Sequence, residues 1–447
     1  MNISVGKIKN ASIVILSLIA IALLSQLWLS NIPLNYFTNP GADAVSTDYH
    51  HNFIKPYRII TSHGGNMFTI LYNDYSQNVI AQACVEALTD ALKRNVSVTG
   101  NLDMSIINEP GFIFEYKFSM PSDYYKSALD YYGPATLPAR FDYVMFIPVT
   151  SNEVQDNTDG DGTGRVIFIS EAGNGDGNGV IMVEFSTQSE LPPVPSPSGV
   201  RYEASAVSQL DVFTQNAFIA TRPASPWEYP AIEVVNPYVN GELLLSAIED
   251  QIDIFFLNPA SKMATLGVDD VYTYSDEYTV VKYYQNDVLD YSNYRAGETQ
   301  LGFLRSFELA YDFIMKDPLV NNEFFLSAYE ETDSGTTFFF DYAIKELPIL
   351  LPDDYKKNGE AELKSAIEIT VRDDLVSHYR KLVYNYKPGE AGKTARIDFG
   401  EALDVVGSPG EQGLLTDVTL GYKIDREKQV YLYWVLQTSG GSLSRVS

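Results

Sequence analysis

The stretch DNTDGDGTGR, residues 156–165, holds the side chains best spaced for chemistry. Asn157, Asp159, Asp161 and Gly162 fall at positions 1, 3, 5 and 6 of an EF-hand-type calcium loop, where oxygen ligands face a hard cation. The twelfth position should carry a bidentate glutamate and carries Phe168 instead. The flanks have the pattern of strands, not of the two helices such a loop joins. A second acidic, glycine-rich turn, GNGDGNG at 173–179, follows one strand later. Successive turns of a meander lie at opposite ends of its strands, so the two loops do not readily share an ion. Asn157, Asp159 and Asp161 are therefore a weak calcium candidate, with solvated hairpin loops as the competing reading.

The other reactive residue types are scattered. The histidines are His50, His51, His63 and His378, and no H-E-x-x-H pairs any two of them. Cys84 is the single cysteine, which excludes a Cys/His zinc site and any disulfide within the chain. No G-x-S-x-G nucleophile elbow and no Walker-type phosphate loop is present. Carboxylates are so abundant that pairing two of them as acid and base would be arbitrary. A Ser-Lys or two-carboxylate hydrolase is not singled out. The sequence thus points to no catalytic residue, no cofactor and no enzyme.

The elements around these residues are more legible. The chain has 447 residues, 45% of them hydrophobic, with 31 Tyr and 23 Phe. That composition suits half-buried sheet surfaces and a folded, multi-domain chain. A net charge of −27 repels nucleic acid and anionic lipid head groups.

Between Asn10 and Ala42 there is no charged residue. As a helix, Ala11 to Leu29 would reach about 28 Å, close to the hydrocarbon thickness of a bilayer. Lys7 and Lys9 precede it and no further lysine or arginine comes until Lys55, which places the N-terminus in the cytoplasm and the bulk of the chain outside the cell membrane. Trp28, Tyr36 and Phe37 suit the outer interface. Gln26, Leu27, Trp28 and Leu29 follow the apolar core where a signal peptidase needs small residues, and Ala42-Asp43-Ala44 comes too late. The segment is expected to stay as an anchor. Ser17 and Ala20 form one small patch on it, and Ala22, Ser25 and Gln26 another. Such residues either pack on a partner helix or simply face lipid.

The expected fold class is α+β: one N-terminal transmembrane helix, then an ectodomain of antiparallel sheets with packed helices. The expected order is a cytoplasmic tail (1–9), a transmembrane helix (10–30), a tether (31–55), an N-terminal α+β domain (56–190), a Pro-rich linker (191–200), a central α+β domain (201–295) and a C-terminal α+β domain (296–447). Residues 76–94 predict a helix capped by Ser76, with Ile80, Ala83, Cys84, Ala87, Leu88 and Ala91 on its inner face. LGFLRSFELAYDFIMK predicts another, with Phe303, Phe307, Tyr311 and Ile314 inward. VYTYSDEYTVVKYY and TTFFFDYAIKELPIL each have the pattern of a strand, and 366–386 that of a hairpin turning at Asp373-Asp374. Helix then hairpin occurs twice after residue 300, the second time from GEALDVVG.

Three stretches stand in a telling order: AIEDQIDIFFLNPASKMATLGVDDVYTYSDEYTVVKYYQNDVLDYSNY, then FFFDYAIKELPILLPD followed by AIEITVRDDLVSHYRKLVY, then FGEALDVV with LTDVTLGYKIDREKQVYLYWVL. In that overall order the chain resembles the YycH family. Residues 150–200 have no counterpart in it. The resemblance implies three extracytoplasmic domains without enzymatic activity. It also implies partners: a WalK-like (YycG) sensor histidine kinase of Gram-positive bacteria and a sister regulator similar to YycI, met largely through transmembrane helices. Ser17, Ala20, Ala22, Ser25 and Gln26 would then be partner contacts. The alternative is a tethered extracytoplasmic module that binds a wall fragment, a sugar or a divalent ion.

Overall fold

The computed structural model describes residues 53, 55–71, 79–95, 97–98, 104–148, 164–170, 180–197, 201–204, 218–220, 228–235, 249, 252–267, 271–284, 287–297, 299–317, 320, 323–344, 347–351, 363–394, 415–424, 430–438 and 443–446. The helices among them are α1 (Val79–Arg94), α2 (Ser122–Ala128) and α3 (Phe303–Lys316). The first strands are β1 (Arg58–Ser62), β2 (Phe68–Leu71), β3 (Ser97–Val98), β4 (Gly111–Pro121), β5 (Arg140–Pro148), β6 (Gly164–Ser170), β7 (Ile181–Thr187), β8 (Arg201–Ala204), β9 (Phe218–Ala220) and β10 (Glu228–Val235). There follow β11 (Met263–Leu266), β12 (Tyr272–Ser275), β13 (Thr279–Tyr283), β14 (Val288–Asn293), β15 (Glu323–Thr332), β16 (Gly335–Ile344), β17 (Leu347–Leu350), β18 (Ile367–Arg372), β19 (Leu375–Leu382), β20 (Asn385–Thr394), β21 (Leu415–Ile424), β22 (Val430–Thr438) and β23 (Leu443–Val446).

Nine strands make the first sheet, in the order β3-β7-β6-β5-β4-β1-β2-β8-β9, antiparallel throughout. β1 and β2 are joined by a tight turn in which Gly64, Gly65 and Asn66 have φ of 85°, 60° and 59°. The two glycines reach this left-handed region without the strain a side chain would add. β5, β6 and β7 form the expected meander. On β6 and β7 lies α1, whose buried stripe is Ala81, Cys84, Ala87, Leu88, Ala91 and Leu92. The stripe is rotated slightly from the expected one: Ile80 and Ala83 are half-buried, and Ala81 and Leu92 take their place. Lys93 and Arg94 close the helix where its dipole favours cations.

The sequence reading missed α2. Two turns are too short for periodicity to register, yet Ser122, Tyr125 and Ala128 are buried. Tyr125 packs edge-on against Tyr116 and Phe141, and its hydroxyl lies 2.8 Å from that of Tyr116.

The second sheet has twelve strands in the order β11-β12-β13-β14-β19-β18-β16-β17-β21-β22-β23, with β15 paired to β16. β17 and β21 run parallel and the other pairs are antiparallel. Helix α3 covers β16, β18 and β19 with the expected Phe303, Phe307, Tyr311 and Ile314, all buried. The β18–β19 hairpin turns at Asp373, whose φ is 48°. Gly335 opens β16 so close to β18 that a Cβ there would lie 2.4 Å from the Val371 carbonyl oxygen. β10 pairs with the distant β20.

Two expected single strands are broken. VYTYSDEYTVVKYY is the β12–β13 hairpin, because the Asp276 carboxylate accepts from the amides of Tyr278 (2.9 Å) and Thr279 (2.7 Å) and turns the chain. TTFFFDYAIKELPIL reverses between Ile344 and Leu347, so that β16 and β17 pair with each other. GEALDVVG and the Ser76 cap lie outside the described residues. So does the 10–30 segment; among the described residues no helix is long and apolar enough to cross a membrane.

The two sheets share one hydrophobic core. Tyr124 of α2 stacks on Phe303 of α3 at 4.1 Å, and Phe118 of β4 meets Tyr329 of β15 edge-on. Phe53 inserts its ring against Phe303 (5.5 Å) and Phe307 (5.1 Å), ahead of β1.

Candidate functional site

Where the sheets meet, four charged side chains converge. Arg58 opens β1 and lies directly across from Glu115 on β4. Its guanidinium grips that carboxylate with two N–H groups, Nε to Oε2 and Nη2 to Oε1. Nη2 also donates to Asp417 Oδ1 at 2.9 Å, and Nη1 to the Val418 carbonyl at 3.2 Å, both on β21. Between Glu115 and Met120 the β4–β5 register breaks. Lys117 lies within that irregularity and faces the second sheet, where its Nζ reaches Asp417 Oδ2 (3.0 Å) and Gln437 Oε1 (3.3 Å). The same ammonium sits 4.4 Å from the centre of the Tyr57 ring.

The charges balance two against two, and they do not respond alike. Burial works against the Arg58 charge, but Asp417 and Glu115 outweigh it and hold the guanidinium well above its ordinary range. Lys117 is likewise raised: burial opposes its charge, and the Tyr57 side chain and Asp417 overcome it. Burial also lifts the two carboxylates. At Asp417 it loses to Arg58 and Lys117, so this acid lies below its usual range. At Glu115 burial outweighs the Arg58 guanidinium, and this acid stays raised. As pH falls, Glu115 takes a proton first, and the folded state favours that step. Asp417 behaves oppositely. Its contribution is complete above its ordinary value of 3.8 and disappears as pH drops from there through its lowered folded value. The unfolding free energy of the wild type should therefore fall more steeply below that pH than that of Asp417→Asn. Urea titrations of both proteins from pH 5 to about 2.5 would show it; parallel curves would refute the assignment.

Beside the network lies a cavity of about 140 Å³ lined by Tyr57, Lys117, Phe325, Asp341, Leu351 and Thr419, among others. Ligand pockets usually span about 300–1,000 Å³, so this cavity is smaller than a typical one. Asp341 is raised by burial, which outweighs the Ser327 hydroxyl and the Ala366 amide beside it. A groove of about 360 Å³ runs past Ser292, Arg372 and His378, its lining about evenly polar and apolar.

His378, on β19 as expected, has Ser292 Oγ at 3.2 Å and Asp290 Oδ1 at 3.7 Å. Both face the same ring nitrogen, Nδ1. A Ser-His-Asp relay needs them on opposite nitrogens, so this trio is a cross-strand polar ladder. Its pKa is lowered, chiefly by burial. His63 sits at the β1–β2 turn with Nε2 on Thr69 Oγ1, at 2.8 Å. Cys84 is buried on α1, and burial pushes its thiol well up, which suits a small core residue. Lys381 of β19 and Asp317 at the C-terminus of α3 form a second buried pair, 2.5 Å apart, with the Tyr379 hydroxyl on Asp317. Among the described residues, no three of His, Cys, Asp and Glu converge as metal ligands.

Asn157, Asp159 and Asp161 lie outside the described residues, as do Ser17, Ala20, Ala22, Ser25 and Gln26. Phe168, which takes the place of the calcium loop's last ligand, is fully buried on β6. None of the four network residues stood out in the sequence. The available signal was alternation in β4: Phe112, Phe114 and Tyr116 share one face, and Glu115 and Lys117 the other. Two charges on one face of an otherwise apolar strand require either water or a partner with charges of its own.

Fold and site together define a mixed α+β protein, mostly of antiparallel sheets with few helices, locked by a buried ion network. Among solved structures this architecture is similar to that of YycH from Bacillus subtilis. The TM-score is 0.53 at 8% identity, over 89% of this chain and 96% of that one. At that identity the likeness is one of fold. An uncharacterized protein from Eubacterium rectale aligns with a TM-score of 0.33 and 13% identity, over 53% of this chain and 87% of that one, and carries no weight. By sequence, no family model and no curated protein matches the chain.

Proposed function

We propose that this protein is a non-enzymatic, membrane-anchored regulator of a cell-envelope two-component sensor histidine kinase, WalK-like in kind, acting beside a YycI-like sister protein. The observation that carries the reading is the YycH-like fold along 89% of the chain. The uncharged segment from Asn10 to Ala42 supplies the anchor the reading needs. In this proposal residues 10–30 cross the cell membrane with the N-terminus in the cytoplasm, and Ser17, Ala20, Ala22, Ser25 and Gln26 meet the kinase or sister helices. A bound regulator biases a kinase only if it binds the kinase's two signalling states unequally.

The test replaces residues 11–29 with an unrelated Leu/Ala span of equal length, in cells and in co-purification. The expected result is loss of kinase capture and a change in kinase output, with the ectodomain still folded. Unchanged capture and output would remove the helix-packing part of the proposal. Crosslinking in the native membrane that captures no histidine kinase would remove the rest.

A further inference from the structure

Arg58, Arg165, Arg305 and Arg380 each hold a carboxylate. Arg372, the last residue of β18, has none at salt-bridge distance among the described residues, in a chain with 58 Asp and Glu against 31 Lys and Arg. The acids around it are engaged elsewhere. Asp373 accepts from the Thr299 amide at 3.1 Å, and Asp374 lies within electrostatic reach of Arg305. Asp290 and Glu368, on the same sheet face, flank Arg380. Arg372 Nε is buried without a hydrogen-bond partner among the described residues. A guanidinium drawn partly out of water without a counter-charge is costly, and a bound oxyanion would offset that cost.

Arg372 lines the groove of about 360 Å³, near the lower end of the usual range for small-ligand sites and of a size for one sugar ring. Across it runs a polar row from three strands: Ser292 of β14 pairs with His378 of β19, which pairs with Thr370 of β18. Hydroxyls along this row both donate and accept, as those of a sugar do. Tyr294, just past β14, also lines the groove. It is 72% exposed and makes no ring contact among the described residues. Such an aromatic face can cover the less polar side of a sugar ring. No Asp or Glu lines the groove among the described residues. We propose that this groove binds a sugar bearing an oxyanion, phosphate or carboxylate. The anion sits on Arg372, the sugar hydroxyls along the Ser292–His378–Thr370 row and the ring against Tyr294. An arginine fork takes either anion. The −27 charge of the chain discourages non-specific anion binding, so a saturable site for such a ligand is a local property.

The test is calorimetry of the full chain in detergent solution, at fixed ionic strength, with glucose 6-phosphate, glucuronate and glucose. At least one acidic sugar should saturate the site by about 1 mM, and the tighter of the two tells phosphate from carboxylate. Glucose should bind more weakly by about tenfold or more. Arg372→Gln should weaken the acidic sugar by about tenfold or more. Tyr294→Ala, at an exposed position, should weaken it by about threefold or more with the melting temperature in place, and it carries the test should Arg372→Gln fail to fold. No saturation by either acidic sugar would overturn the proposal, as would glucose binding as tightly as the acids. Equal binding by a folded Arg372→Gln or by Tyr294→Ala would place the ligand elsewhere and overturn it too. The proposal does not rest on the kinase reading, because the residues 11–29 exchange leaves the groove untouched and the two tests fail separately.

Discussion

Arg58→Met is expected to lower the unfolding free energy by about 3–5 kcal/mol, the range for removing one partner from a buried ion network. The side chain is only 4% exposed, and it serves Glu115, Asp417 and the Val418 carbonyl at once. Methionine fills much of the volume but leaves two carboxylates facing each other without the guanidinium between them. Lys117 remains beside Asp417, so Glu115 becomes the orphan. Urea denaturation followed by tryptophan fluorescence, to which Trp434, buried on β22, contributes, reads the loss. The triple variant Arg58→Met, Glu115→Gln, Asp417→Asn should recover part of it, because no uncompensated charge is left. A loss under about 1 kcal/mol in the single variant would mean that water screens the network after all.

Lys381→Met is expected to cost a similar amount, about 3–5 kcal/mol, for a simpler reason. Lys381 and Asp317 are each 1% exposed and face each other at salt-bridge distance. Burial lowers the Lys381 pKa although Asp317 opposes it, so the pair sits where water gives little help. The single variant takes Lys381 from a buried carboxylate that keeps the Tyr379 hydroxyl. The double variant Lys381→Met, Asp317→Leu should return to within about 1 kcal/mol of the wild type, since apolar replacement of a whole buried pair is often neutral. Urea midpoints of the single and double variants decide it. A double variant as unstable as the single one would show that Asp317 serves mainly to end α3, not to pair with Lys381.

The sequence made the elements legible wherever one face is buried and the segment is long. The Phe303–Ile314 stripe, the β18–β19 hairpin and the β5–β7 meander follow directly from period and turn residues. Breaks inside apolar runs were not legible. Asp276 turns VYTYSDEYTVVKYY through its own carboxylate, and Ile344–Leu347 reverses TTFFFDYAIKELPIL without a glycine to announce it. The network was hidden for a different reason. Arg58, Glu115 and Lys117 lie near one another along β1 and β4, but their counterpart Asp417 stands about 300 residues further on. Which strand face meets which sheet is a property of tertiary packing, and periodicity carries no information about it.

Residues 53–58 have a mechanical consequence. Within six positions Phe53 is wedged against α3, Tyr57 lies 5.4 Å from Phe325 of β15, and Arg58 enters the first sheet while holding β21. This short run acts as a pin through two plates. Any sliding of one plate over the other loads the pin, and any pull along the chain at Phe53 is shared by both plates from the start instead of peeling one away first.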